Sequence, residues 1–405
     1  MVREGYKQTA ISLTPEDWEV CPLENIAGLE VGYAFKSTWF DEHRGIPLLR
    51  GENVGYGRPD WSDIQRLPVE LAKTFSAYKL NSGDIVIGMD RTFTKSGTKI
   101  SVLSEKDCPC LLVQRVGKFI PLKCSNSFLW ALLSSEMFQS SLKLEQKGMD
   151  IPHLSRSEIL SPYIPFPIVE AEQEAIAQAL SDVNALIAAL DKLSAKKRNL
   201  KTAAMQQLLT GKKRLPGFGE GQGYKESAIG LIPKDWDALR LGDIAPLQRG
   251  FDLPTYQLKK GDYPAVYSNG IMNHHSDFMV NGPGVVTGRS GTIGNVHYVS
   301  EDYCPHNTAL WVTEFRCSNP KYVYYLYKSI KLERFGSGSG VPTLNRNDVH
   351  DWVVAIPKIE EQRAIATVLS DMDTEIAALE TRLAKTQALK QGMMQELLTG
   401  RTRLV

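Results

Sequence analysis

Six short glycine-bearing stretches hold most of the side chains with which this sequence could grip a polar ligand. The first three are GYAFKS (32–37), LLRGENVGYGR (48–58) and DRTFTKSG (90–97). The others are QRGFD (248–252), SNGIMNHH (268–275) and GRSGTIG (288–294). Arginine and lysine match the paired acceptors of guanine, and asparagine and glutamine match adenine. Serine, threonine and backbone N–H groups hold phosphate oxygens. On that chemistry the candidate DNA-contacting residues are Lys36, Arg50, Asn53, Arg58, Arg91 and Lys95, then Arg249, Asn269, Arg289, Thr292, Asn345 and Arg346. The aromatics Phe35, Tyr56 and Phe251 sit beside them. Any one of these loops also reads as a plain surface turn. What sets them apart is that DRTFTKSG and GRSGTIG each follow a strand-like run, GDIVIGMD at Gly83 and GPGVVTG at Gly282.

Residue patterns for independent catalysis are missing from the sequence. GRSGTIG spaces its glycines as GxxGxxG and opens no helix, unlike a dinucleotide-binding turn. No GxxxxGK(S/T) loop occurs, no HExxH, and no (N/D)PP(Y/F) run of an adenine methyltransferase; NPKY at Asn319 lacks the second proline. Asp60, Asp84 and Glu105 could be assembled into a metal nuclease site, but such trios arise by chance in chains of this length. The six cysteines form no CxxC pair, which argues for reduced thiols rather than a disulfide frame or a zinc site. No catalytic residue, metal ligand or cofactor is therefore assigned to this chain.

With 405 residues, 42% apolar and 23% charged, the chain can bury two or three cores. A formal net charge of +1 gives no bulk support for nucleic-acid binding, so basic groups would have to be concentrated locally. No apolar run reaches membrane-spanning length, and MVREGYKQTAIS lacks the apolar segment of a secretory signal. The expectation is a cytoplasmic protein with no membrane contact.

The elements that position the loops are written twice. Gln173–Leu215 aligns without a gap to Gln362–Leu404, about half of the positions being identical, and both copies close on LLTG(K/R)xRL. Gly5–Ala27, GYKQTAISLTPEDWEVCPLENIA, matches Gly223–Ala245, GYKESAIGLIPKDWDALRLGDIA; IPHLSRSEI at Ile151 resembles VPTLNRNDV at Val341. A duplicated frame thus carries two dissimilar inserts, at about 28–150 and 246–340. The repeat is circular in sense, which brings the chain ends together. Ile176, Leu180, Val183, Ile187 and Leu190 step by four and three, as do Ile365, Leu369, Met372, Ile376, Leu379 and Leu383. Each is the seam of a rod of about 40 residues, roughly 60 Å long, and two such rods pair most simply as an antiparallel coiled coil. Around Ser194 and Lys197 the stripe is expected to shift toward Leu193 and Leu200, with Lys192, Lys196, Lys197, Arg198 and Lys201 as a solvated basic face. Each insert reads as short strands and tight turns followed by one helix, Asn126–Gln146 and Pro320–Phe335. The fold class is α/β (α+β): two mixed, β-rich domains separated by two long helices in a pseudo-two-fold, circular repeat. The boundaries are 1–165, 166–212, 213–356 and 357–405.

In this order and duplicated, the P(E/K)DW openings, EQEAIAQALSD, EEQRAIATVLSD, the LLTG endings and the variable middles resemble the specificity subunit of type I restriction–modification systems. The resemblance implies two target-recognition domains that read a bipartite, asymmetric double-stranded DNA site. It implies a coiled coil as the ruler between them. It also implies docking of two modification (methyltransferase) subunits that bind S-adenosylmethionine and flip an adenine, and restriction/translocase subunits that use ATP and Mg. Two alternatives stay open on sequence alone: a recognition subunit of a related methylation or defence system, and a coiled-coil scaffold without DNA specificity.

Overall fold

Trp18 and Trp236, the tryptophans of the two repeated openings, are 1% and 0% exposed and anchor the two halves of the computed structural model. The structure describes residues 4–9, 11, 13–94, 97–145, 153–254, 256, 258–337 and 340–404. The chain divides into two units, residues 1–189 with 382–405 and residues 190–381. Each long helix is therefore shared between the two units.

In the first unit the strand after the tryptophan, Trp18–Pro22, pairs antiparallel with Tyr163–Pro167, the strand that leads into the first long helix, Glu170–Leu208. The insert between them builds a four-stranded antiparallel sheet in the order Ile100–Val102, Ile85–Gly88, Val116–Pro121, Ala27–Val31. Ile85–Gly88 is buried along its whole length, which is why it reads as an unbroken apolar run rather than an alternating one. A second sheet runs Arg66–Leu67, Ile46–Leu49, Cys110–Leu112, Lys79–Leu80, with its central pair parallel. The single helix expected over 126–146 is two, Asn126–Leu133 and Glu136–Glu145. The break falls at Ser134–Ser135, where the Ser135 hydroxyl accepts the Phe138 N–H at 3.2 Å and so starts a new helix.

The second unit repeats this plan with other residues. Asp237–Arg240 pairs antiparallel with Val353–Ile356, which leads into the second long helix, Ile359–Leu397. Its four-stranded sheet runs Val296–Val299, Gly284–Gly288, Ala309–Val312, Leu247–Arg249. Tyr263–Tyr267 lies parallel to Cys304–Pro305, as Ile46–Leu49 lies parallel to Cys110–Leu112. Helix Pro320–Ser329 stops short of the expected Phe335 because Lys331 takes a left-handed conformation, φ 57°. Although the inserts share little sequence, the strands of their four-stranded sheets follow one order, and the second sheet keeps its parallel pair but has four strands in the first unit and three in the second.

The repeated motifs meet in one cluster per unit. In the first, Trp18 Nε1 donates to Glu172 at 3.0 Å, and Arg403 donates to Asp17 at 2.9 and 2.7 Å and to Glu172. In the second, Trp236 Nε1 donates to Glu361 at 2.9 Å, while Arg214 reaches Asp235 at 2.9 and 2.8 Å and Glu361 at 2.6 and 2.7 Å. The carboxylates of Glu172 and Glu361 are almost wholly buried, and burial is tolerable because guanidinium and indole N–H satisfy them. Each arginine also holds its aspartate, Asp17 or Asp235, below the usual carboxylate range through the hydrogen bond it donates. Gly211 and Gly400 end the helices at φ 69° and 71°, where a Cβ would lie 2.6 and 2.5 Å from Pro233 and Pro15 of the P(E/K)DW segments.

Within each unit the two long helices run antiparallel. In the first, Ile176, Ala177 and Leu180 share a core with Met394, Leu397 and Leu398. In the second, Ile365 and Leu369 share one with Leu208 and Leu209. Of the other seam residues, Leu190 and Ile376 are buried, and Val183, Ile187, Met372, Leu379 and Leu383 half-buried. The expected shift of the stripe does not occur. Leu193 and Leu200 are 40% and 48% exposed, whereas Ser194 and Lys201 are 0% and 7% exposed. The four–three stepping simply continues through Leu190, Ser194, Lys197 and Lys201. The basic run is also not merely solvated: Lys197 pairs with Glu375 at 2.6 Å, Arg198 with Glu380 at 2.6 Å, and Lys201 with Asp373. Lys201 buries its aliphatic stem in the seam and keeps its ammonium on a carboxylate.

Candidate functional site

The glycine-bearing loops lie at strand ends, and matched backbone contacts identify the same surface in both units. Gly32 and Gly250 both sit where a Cβ would strike the facing strand, 2.3 Å from Val113 O and 2.2 Å from His306 O. Tyr33 bridges Val113 as Phe251 bridges His306. The Met89 N–H donates to Arg115 O, and the Arg289 N–H to Thr308 O, both at 2.8 Å. Asp90 bridges His153 as Ser290 bridges Thr343, which ties the P-x-L-(S/N)-R element of each unit to the same turn. The corresponding placement of DRTFTKSG and GRSGTIG is therefore a property of the fold.

In the first unit Lys36, Arg58 and Arg91 are exposed on these loops, with Lys36 Nζ 5.4 Å from the Trp39 ring centre and Arg91 at φ 47°. Arg50 is largely covered and engaged by Glu52 and by Asp63 at 3.1 Å. Asn53 is not available as a reader of bases. It is 1% exposed; its amide donates to Asp60 O at 3.0 Å and Asp63 O at 2.7 Å, and its carbonyl accepts the Arg50 N–H at 3.2 Å. It is the internal brace of its loop. Lys95 lies outside the described residues.

In the second unit Asn269, Thr292, Asn345 and Arg346 are exposed. Asn345 is also a helix cap, its side chain accepting the Asn347 N–H at 3.1 Å. Arg249, Asp252, Arg289 and Asn307 converge: Arg249 donates to Asp252 Oδ1 at 2.7 Å, Asn307 Nδ2 donates to the same oxygen, and Arg289 donates to Asn307 O at 3.1 Å. The Asn307 hydrogen bond is the main reason the Asp252 carboxyl is held below its ordinary range. His306 stacks on Tyr267 with ring centres 4.1 Å apart, and its burial lowers its pKa.

Several residues of this surface are not marked out by residue type and glycine-rich context. They are Lys99, Gln114, Arg115 and His153 in the first unit and Asp252, His306, Asn307 and Thr308 in the second. Arg115 and His153 both meet Asp90, at 3.1 and 2.7 Å. Lys99 crosses from the 90s loop to Gly51 O at 3.1 Å, and burial, then the nearby Arg91, lowers its pKa. A usable signal was present: QR inside LLVQRVG and HNT inside CPHNTAL interrupt apolar runs and so mark turns. Among the described residues no group of three metal-ligating side chains occurs, and no helix is long and apolar enough to cross a membrane.

Comparison with known proteins gives this surface its context. A family model described as the type I restriction modification DNA specificity domain matches residues 15–197 and 233–390, one match in each half of the repeat. The specificity subunit of the type I restriction enzyme MjaVIII from Methanocaldococcus jannaschii is 35% identical over 214 residues, 52% of this chain and 50% of that subunit. The EcoAI specificity subunit of Escherichia coli is 37% identical over 196 residues, 48% of this chain and 32% of that subunit. The chain thus spans half or less of the length of these relatives. The crystal structure of a type I restriction–modification S subunit from M. genitalium shares the fold, with a TM-score of 0.61 at 16% identity over 96% of this chain and 97% of that one. The chain belongs to the type I restriction modification DNA specificity domain family.

Proposed function

We propose that this chain is the DNA-recognition subunit of a type I restriction–modification complex and is not itself catalytic. The observation that carries the reading is one strand-end surface built twice on one topology and furnished with different side chains. A frame that is repeated while its reading surface differs suits a site made of two unlike half-sites. Residues 1–165 and 213–356 are assigned as the recognition domains, and 166–212 and 357–405 as the helices that set the gap between half-sites. Half-sites on one face of the duplex need a spacing near one turn, about 34 Å, within reach of helices of 39 residues, roughly 58 Å long.

Lys36, Arg58, Arg91, Arg249, Asn269, Arg289, Thr292, Asn345 and Arg346 are assigned to the DNA surface, together with Lys95 and, through its partly covered guanidinium, Arg50. Two modification subunits, which carry the S-adenosylmethionine, dock on the repeated frame, and restriction/translocase subunits with ATP and Mg complete a cytoplasmic complex. The test is selection from a randomised duplex pool by the chain co-expressed with a modification subunit from the same source. Two short fixed blocks around a constant gap are expected. An assembled, folded complex that enriches no motif would overturn the proposal in favour of a scaffold.

A further inference from the structure

The turn that joins the two sheets of each unit places a carboxamide at matched positions, Gln114 and Asn307. Four backbone correspondences establish the match, from the Gly32/Gly250 close approach to the paired bridges of Tyr33 and Phe251. Gln114 is exposed, and its side chain hydrogen-bonds to none of the described residues. Asn307 is half-exposed and oriented: its Nδ2 donates to Asp252 Oδ1, the oxygen that also takes Arg249 at 2.7 Å. One carboxylate oxygen thus presents a guanidinium and a carboxamide side by side. Its second oxygen accepts no hydrogen bond from a described residue. Those are the two side-chain types that discriminate guanine and adenine in the major groove, with a carboxylate acceptor for a cytosine amino group between them.

Resting on the proposed DNA-recognition function, we infer that Gln114 and Asn307 are specificity-determining residues, one for each half-site, and that Asp252 is the positioning residue of the second. The Arg249–Asp252 pair is exposed and weak enough to be exchanged for a base edge on binding. Neither carboxamide supports the core of its unit, so its removal leaves the frame intact.

The experiment is motif selection from a randomised duplex pool by the full-length chain with its modification subunit, run in parallel for wild type, Asn307→Ala, Asp252→Asn and Gln114→Ala. Asn307→Ala is expected to lose about five- to 150-fold of discrimination at one or two adjacent positions of one block. The other block should stay unchanged and so report that the protein is folded. Asp252→Asn should relax the same positions, and Asp252→Glu should recover part of the preference, which a merely structural role would not produce. Gln114→Ala should alter only the opposite block. If wild type selects two blocks and Asn307→Ala and Gln114→Ala select the identical motif, the inference fails while the bipartite function stands. If wild type selects no motif, both fail.

Discussion

Arg403 grips Asp17 with both terminal nitrogens, at 2.9 and 2.7 Å, across 386 residues of chain. Arg214 makes the same pair with Asp235 across 21 residues. The long-range contact and the local one are chemically the same, so the frame closes on its own start as it closes on its own middle. In each case the arginine also neutralises a glutamate at the start of a long helix. A helix end, an opening segment and a helix start are thereby fixed to one another.

Removing either arginine leaves a buried carboxylate without its cation. Arg403→Ala and Arg214→Ala are each expected to cost about 3 kcal/mol, whereas Asp17→Asn, at the more exposed carboxylate, should cost about 1 kcal/mol or less. Urea titrations read these differences. Equal, negligible losses for the arginine and aspartate variants would show that Glu172 needs no counter-charge.

In the second unit, ion pairs between the two long helices are matched in the antiparallel register: Lys197 with Glu375, Arg198 with Glu380 and Lys201 with Asp373. Charge reversal at Arg198→Glu should destabilise the second unit, and adding Glu380→Arg should recover much of that loss. A coupling energy of about 0.3–1 kcal/mol in the double-mutant cycle is expected for an exposed pair. A coupling of zero would mean that the apolar seam alone sets the register.

Three histidines of the second unit, His297, His306 and His350, have lowered pKa values, each chiefly from burial. His350 Nε2 accepts the Leu247 N–H at 2.8 Å and so is unprotonated in the fold. Below the ordinary value of about 6.5 the unfolded chain binds protons that the folded one does not, so stability falls as pH drops from there toward the folded pKa values. The unfolding temperature should decline between pH 7 and pH 5, and His350→Gln, which keeps an acceptor, should flatten part of that slope. A profile that is level across this range would contradict the assignment.

If the inserts act independently, replacing residues 28–150 with another insert changes one half-site and spares the other. Altered preference in both blocks would defeat the modular reading. Adding one heptad to both long helices lengthens each by about 10 Å, which predicts a gap longer by up to about three base pairs in the selected motif. An unchanged gap would remove the spacer role.

Much of this architecture was legible in the residues themselves. The duplicated openings and endings announced a circular frame, and the four–three stepping from Ile176 and Ile365 announced the paired helices. Those signals are local or periodic, and one sequence compared with itself exposes them. The chain alone also brought Arg50, Arg249 and Arg289 forward by residue type. It could not say that Asn53 is turned inward to brace its own loop, because an asparagine in a glycine-rich turn looks the same whether it caps backbone or faces solvent. Nor could it show that Ser194 and Lys201 hold seam positions while Leu193 and Leu200 face water. That outcome depends on which side the second helix lies, and apolarity alone points the wrong way. Only the tertiary structure matched the two inserts, since strand order and close backbone approach survive where side chains do not. It set Gln114 and Asn307 at corresponding turns of their own units and brought Arg249 and Asn307 onto one carboxylate.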